Sequence, residues 1–296
     1  MRTRQLGPLR VSVVGLGCNQ LGGRVDATGT RAVVDAAIDS GITFLDTADI
    51  YSGGRSEEVL GAALEGRRDQ VVLATKFGKP MGDGAQRRGS AAYIRTALEA
   101  SLRRLRTDVV DLYQHHEEDP GTPLEETIAT LDELVEEGKI RAYGTSNYRP
   151  DTLAQARSLG STAFVSEQSE YSWLRRGVEA ELLPACERLG LGFIPYFPLA
   201  RGLLSGVVSR ESPPAAGTRL HGASIDEADL DRVERLTAWG EANGVGLLEV
   251  AIGGLAAVSP VASVIVGASR PEQVHANAAA GSWEPTAAQL AELRQL

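Results

Sequence analysis

A chain of 296 residues with 43% hydrophobic content can bury one large core, although length alone equally allows two domains. Its 39 acidic and 30 basic side chains leave a formal charge of −9 and no basic stripe to neutralise a phosphate backbone, so no nucleic acid partner is expected. Cys18 and Cys186 lie far apart without CxxC or Cys/His spacing; this indicates neither a disulfide framework nor a metal site and reads as two buried thiols.

Met1 to Arg10 carries three arginines, but the apolar run after it, Val11 to Gly17, is too short and glycine-rich for a signal segment or a membrane span. The chain therefore reads as cytoplasmic, with no membrane partner. Arg4 to Val11, centred on Gly7-Pro8, reads as a small N-terminal β-hairpin placed to cover one end of the main fold.

From there β-branched runs alternate with stretches of helical period. Strand Val13 to Gly17 precedes helix Thr28 to Ser40, Thr43 to Thr47 precedes Ser56 to Leu64, and Val71 to Phe77 precedes Ser90 to Leu105. Val109 to His116 precedes Pro123 to Glu137, which opens on a proline in an acidic first turn and stops at Gly138. Ile140 to Ser146 precedes Pro150 to Leu159, and Ala163 to Glu167 precedes Gly177 to Leu189. Gly192 to Tyr196 precedes Gly246 to Val258, and Ser263 to Gly267 precedes Pro271 to Ala280.

Eight such units predict an α/β fold, a (β/α)8 TIM barrel forming one domain over residues 1–296. Two extra helices fit Asp226 to Asn243 and Thr286 to Gln295. Pro198 to Ser224 lacks periodicity and reads as a functional loop over the site.

Barrel enzymes carry reactive groups at the C-terminal ends of their strands. Here the second strand runs into Asp46 and, five positions on, Tyr51; the third ends at Lys76 and the fourth at His115-His116. Taken singly, these residues have ordinary roles as a turn cap, a loop aromatic, a surface charge and a core histidine. Together they bring an acid, a phenol, an amine and an imidazole to one rim. Period-two alternation lets only one of the two histidines face the barrel interior.

The motifs that carry these groups are Gly41 to Tyr51, Arg55-Ser56-Glu57-Glu58, Ala74-Thr75-Lys76-Phe77 and Asp111-Leu112-Tyr113-Gln114-His115-His116. They resemble the aldo-keto reductase family, and the resemblance extends from about Arg4 to about Ala280. It implies reduction of a small-molecule aldehyde or ketone with NADPH, NADH being the weaker fit, and a monomer or homo-oligomer. It places the family's catalytic tetrad on Asp46, Tyr51, Lys76 and His116, with His115 as the alternative to the last.

The residue types suit that chemistry. Hydride addition builds negative charge on the carbonyl oxygen, which must be stabilised and then protonated. Tyr51 is the expected acid, with its pKa lowered by the Lys76 ammonium. Asp46 would compensate that buried charge, and His116 would orient the carbonyl oxygen.

The resemblance also assigns a cofactor side. Gly17 would let the first strand approach the cofactor, and Ser146, Asn147 and Gln168 would hydrogen-bond the carboxamide. Tyr196 would stack on the nicotinamide. Phe197, Pro198, Leu199, Gly202 and Leu204 would form a pyrophosphate loop, with Arg201 or Arg219 adding charge.

Gly267, Ser269, Arg270, Gln273 and Asn277 fall in the segment that resembles the family's adenosine-phosphate site. Many members carry Lys at the Gly267 position and Arg at the Gln273 position, so Arg270, beside a helix N-terminus, is the expected replacement for the 2′-phosphate. Trp173 is a candidate for shaping the substrate pocket.

A dinucleotide fold of the Rossmann type is disfavoured, because Gly15-Leu16-Gly17-Cys18-Asn19-Gln20 has glutamine where the third glycine belongs. Two other readings remain at this level: a Schiff-base aldolase using Lys76, and a cofactor-binding regulatory subunit with the same fold.

Overall fold

The computed structural model describes residues 1–82, 84, 86–214 and 220–296. Strands β1 (Thr3–Leu6) and β2 (Leu9–Ser12) form the antiparallel hairpin, turning at Gly7 with φ of +57°. Leu6, Leu9 and Val11 pack with Phe44, Ala74, Leu112, Ala142, Val165, Ile194 and Ile265, so the hairpin plugs the N-terminal end of the barrel and closes its inner core.

Eight parallel strands come next: β3 (Val14–Gly17), β4 (Phe44–Asp46), β5 (Val72–Phe77), β6 (Val110–His115), β7 (Ile140–Ser146), β8 (Phe164–Glu170), β9 (Gly192–Tyr196) and β10 (Val264–Gly267). Their hydrogen-bonded order, β10-β3-β4-β5-β6-β7-β8-β9, is that of a (β/α)8 barrel. The ring is completed by a parallel bridge between Phe193 and Val261, supported by the Ala262 amide donating to the Phe193 carbonyl at 2.8 Å. Both faces of each strand are covered, which is why the strands read as nearly continuous apolar runs.

The outer layer comprises α1 (Ala27–Asp39), α2 (Arg55–Ala63), α3 (Ala91–Leu105), α4 (Leu124–Glu136), α5 (Pro150–Leu159), α6 (Leu182–Leu189), α7 (Glu227–Ala242), α8 (Leu247–Glu249), α9 (Pro271–Ala280) and α10 (Ala287–Leu293). Asp26 caps α1 by accepting from the Gly29 amide, and Thr286 and Gln289 form a reciprocal capping box on α10. In α4, Ile128, Leu131 and Leu134 share one buried stripe, leaving Glu125, Glu133 and Glu136 exposed.

Three expected boundaries shift for identifiable reasons. The helix expected from Gly177 divides into a 3-10 turn, Gly177–Glu179, and α6, because Pro184 lacks an amide proton and is tolerated only in a first turn. The stretch from Gly246 turns π-helical at Val250–Gly254, where Trp173 donates to the Val250 carbonyl at 2.8 Å. Strand β8 runs on to Glu170 because residues 168–170 keep pairing with β9. Among the described residues, no helix is long and apolar enough to cross a membrane.

Candidate active site

The C-terminal rim gathers the four sequence-selected groups. Asp46 ends β4 with 2% of its surface exposed, and Lys76, on β5, is completely buried. The three protons of the Lys76 ammonium have three acceptors: Asp46 Oδ2 at 2.6 Å, the Thr47 carbonyl at 2.9 Å and Tyr51 Oη at 3.4 Å. The second oxygen of Asp46 accepts from Gln168 Nε2 at 3.0 Å and Gln114 Nε2 at 3.2 Å. A buried charge pair costs desolvation unless its remaining hydrogen-bonding capacity is filled, and the two glutamines fill it.

Tyr51 is aimed by its turn. Ser52, Gly53 and Gly54 have φ of +52°, +66° and +92°, a left-handed run that reverses the chain just after the tyrosine. Its ring lies edge-on to the His116 imidazole with centroids 5.9 Å apart. His116 directly succeeds the last residue of β6, and its amide is held by the Phe77 carbonyl at 2.8 Å. Its Nδ1 has no hydrogen-bond partner among the described residues.

Its neighbour His115 points the other way: it stacks on Phe77 at 4.9 Å and meets Tyr148 Oη at 2.7 Å through Nδ1. Gly78 permits this, since a Cβ there would lie 2.7 Å from the His115 ring.

Burial disfavours the Lys76 ammonium, but Asp46 and Tyr51 outweigh it and the pKa is raised, so the group stays charged. Burial is also the largest influence on Tyr51; it exceeds the opposing effect of Lys76, and the phenol is raised rather than lowered. The expectation of a lowered Tyr51 pKa is therefore reversed. His116, buried and then repelled by Lys76 and Lys79, falls to about 2 and is a neutral imidazole.

A cleft of about 430 Å³ opens on these groups. Asp46, Tyr51 and His116 line it; Lys76 lies beneath. On the side of β3 and β10 it is walled by Gly17, Gly267, Ser269 and Gln273. On the side of β7, β8 and β9 it is walled by Ser146, Asn147, Gln168 and Tyr196, and then by Phe197, Pro198, Leu199, Arg201 and Gly202.

Asn147, at φ of +59°, donates to the His116 carbonyl at 3.1 Å and accepts from Tyr196 Oη at 2.8 Å, which links three strand ends. Phe197, Ala200 and Arg201 all have positive φ, at 52°, 45° and 62°. Such a cluster of left-handed non-glycine residues is costly and is found where backbone geometry serves a site.

Among the described residues, four of those selected from the sequence do not join this wall. The Leu204 side chain is fully buried and its amide returns to the Leu199 carbonyl. Asn277 is buried on the inner side of α9, and Arg270 is exposed at its N-cap. Trp173 is 1% exposed and packs against Gly254, so its expected place in the substrate pocket is corrected: it anchors the helix layer. Arg219 lies outside the described residues.

Conversely, Asn19, Gln20, Arg24, Lys79, Ser205 and Val207 also line the cleft, and Gln114 braces Asp46. A sequence signal for Gln114 exists: it alternates with Leu112 and His116 along one face of the fourth strand. The loop residues carry no periodic signal.

The model of the Aldo/keto reductase family matches residues 13–296. A Bacillus subtilis (strain 168) protein described as an uncharacterized oxidoreductase, YqkF, is 36% identical over 283 residues, covering 94% of this chain and 90% of its own. The structure is similar to that of aldo-keto reductase AKR11C1 from Bacillus halodurans in its holo form. The TM-score is 0.86 and the identity 36%, over 100% of this chain and 96% of that one.

Proposed function

This chain belongs to the aldo/keto reductase family and is an NAD(P)H-dependent oxidoreductase, and from that premise we propose that it reduces an aldehyde or ketone to an alcohol with NADPH, Tyr51 giving the proton. The observation that carries the reading is the Tyr51 hydroxyl held 3.4 Å from an ammonium at the floor of an open cleft.

The residues present fit the cofactor. Gly17 lines the cleft where β3 packs too closely on β10 for a side chain, since a Cβ there would meet Ile265 Cγ2 at 2.9 Å. Phe197, Arg201 and Gly202, all at positive φ, line the cleft on the side proposed for the pyrophosphate. Ser146, Asn147 and Tyr196 stand beside Tyr51 and His116, as a nicotinamide next to a reacting carbonyl would require. When bound, the cofactor supplies hydride to the carbonyl carbon and leaves oxidised.

The protein's part is the proton and the oxyanion. Neutral His116 donates a hydrogen bond to the substrate oxygen, Tyr51 transfers its proton to that oxygen, and the resulting phenolate is stabilised by Lys76. Asp46, held by Gln114 and Gln168, keeps Lys76 charged and aimed. The aldolase alternative is disfavoured: a Schiff-base lysine needs a free neutral amine, whereas Lys76 is buried, has three acceptors and a raised pKa.

The preference for NADPH rests on Arg270 at the exposed N-terminus of α9. Fluorescence titration with NADPH and NADH, with absorbance assays on a panel of aldehydes, ketones and keto-sugars, tests the proposal. NADPH should bind more tightly and be consumed, and Arg270→Ala should weaken NADPH selectively by about tenfold. Cofactor binding without turnover of any carbonyl would favour the regulatory-subunit alternative.

A further inference from the structure

We infer that the substrate is an anionic carbonyl compound, one with a carboxylate or phosphate near the C=O, and that Arg24 and Lys79 recognise its charge. This rests on the carbonyl-reductase reading above and adds the substrate class to it. In a chain of net charge −9, the described residues lining the cleft include Arg24, Lys79 and Arg201 but only one carboxylate, Asp46, which is spent on Lys76.

Arg201 belongs to the loop after β9, over the Phe197 ring at 5.8 Å, on the side proposed for the cofactor. Arg24 and Lys79 line the cleft elsewhere, Arg24 on a loop against the turn that follows Tyr51 and Lys79 just beyond the end of β5.

Arg24 is carried by a loop pressed against the turn after Tyr51. A Cβ on Gly23 would lie 2.6 Å from Ser52 Oγ, and one on Gly22 2.6 Å from the Arg55 backbone. Ser52 Oγ also donates to the Leu21 carbonyl at 3.3 Å. Arg24 is exposed and has no ion-pair partner among the described residues.

Lys79 lies two residues beyond Phe77, whose carbonyl holds the His116 amide, and its charge is felt by the His116 ring. Among the described residues its ion-pair partner is Glu117 at 3.8 Å, which also faces Arg88 at 3.6 Å. Tyr51, His116, Arg24 and Lys79 all line the same cleft, so a substrate whose carbonyl oxygen meets the first two shares that cleft with both cations. A neutral substrate would leave both without use, whereas an anion gains from each and is steered into the cleft against the repulsion of an acidic protein.

The test compares matched substrates with wild type and NADPH at low ionic strength: glyceraldehyde 3-phosphate against glyceraldehyde, and 5-oxopentanoate against pentanal. The anion of at least one pair should have a kcat/KM higher by about tenfold, as two partly exposed ion pairs supply. Which pair shows the effect distinguishes phosphate from carboxylate. The ratio should fall toward one in Arg24→Met/Lys79→Met and invert in Arg24→Glu/Lys79→Glu. Equal or better use of both neutral partners by wild type, or a ratio that survives the double substitution, overturns the inference.

Calorimetric titration of the NADP+ complex with glycerol 3-phosphate and pentanedioate, against glycerol, separates this inference from the reading beneath it. Anion binding that depends on Arg24 and Lys79, without reduction of any aldehyde, would sustain the anion site and remove the reductase reading. Absence of both removes both.

Discussion

The Lys76 ammonium lies 3.4 Å from the Tyr51 hydroxyl, yet the phenol is a weaker acid than free tyrosine because burial outweighs the neighbouring charge. Tyr51 therefore keeps its proton through neutral and mildly alkaline pH, the state a proton donor needs. The rate of carbonyl reduction should show no loss between about pH 6 and pH 9 that is attributable to Tyr51, since even a free phenol titrates only near about pH 10. A steady-state pH profile checks this, and a Tyr51-dependent fall near pH 7 would contradict it.

Removing Lys76 strands a carboxylate. Lys76→Met leaves Asp46 buried without its counter-ion and should cost about 3 kcal/mol of stability, besides most of the activity. Asp46→Asn/Lys76→Met should recover part of that stability while staying inactive, because no unpaired charge remains. Denaturant unfolding of the single and double variants measures the coupling.

His116 is neutral at every working pH, its pKa having been driven to about 2 by burial and by the lysines nearby. It can orient an oxygen but not titrate against it. His116→Gln, which keeps a neutral donor, should lower kcat by about tenfold to a hundredfold without moving the pH profile. Loss of a limb near pH 6.5 in the variant would show that the histidine had been ionising.

Asp49 sits behind the site, its Oδ1 unpartnered, and burial together with the Glu57 charge lifts its pKa to about 7. The folded state then holds a proton that the unfolded chain releases near pH 4. The stability this contributes is complete below pH 4 and is lost as pH rises to about 7, by at most about 1.4 kcal/mol per pH unit. Glu167, also raised to about 7, acts in the same sense. His115 and His116, both lowered, act oppositely below pH 6.5. Relative to wild type, Asp49→Asn should gain stability progressively between pH 4 and pH 7; a constant difference would sink the assignment.

The strand ends are legible in the sequence because barrel strands are short, apolar and separated by helices of clear period. That only one of His115 and His116 faces the barrel follows from alternation, which the structure reproduces along Leu112, Gln114 and His116. Gln168, expected on the carboxamide, lines the cleft and also braces Asp46 through its amide nitrogen. The strand that carries it holds a bulge: Tyr143 pairs with Phe164 and Gly144 with Ser166, leaving Val165 as the extra residue.

No local pattern announces such a bulge, nor the long-range fit that draws Trp173 under Gly254. Arg24 and Lys79 escape a sequence reading for a related reason. Their importance lies in the loops that carry them to the rim, and those loops have no periodicity to read.

The most direct test of the account is Tyr51→Phe, assayed for aldehyde reduction at saturating NADPH and titrated with NADPH by fluorescence. The account predicts a fall in kcat of about a hundredfold or more, with cofactor affinity within a factor of about two of wild type. Turnover retained at the wild-type rate in a variant that binds NADPH normally would contradict it.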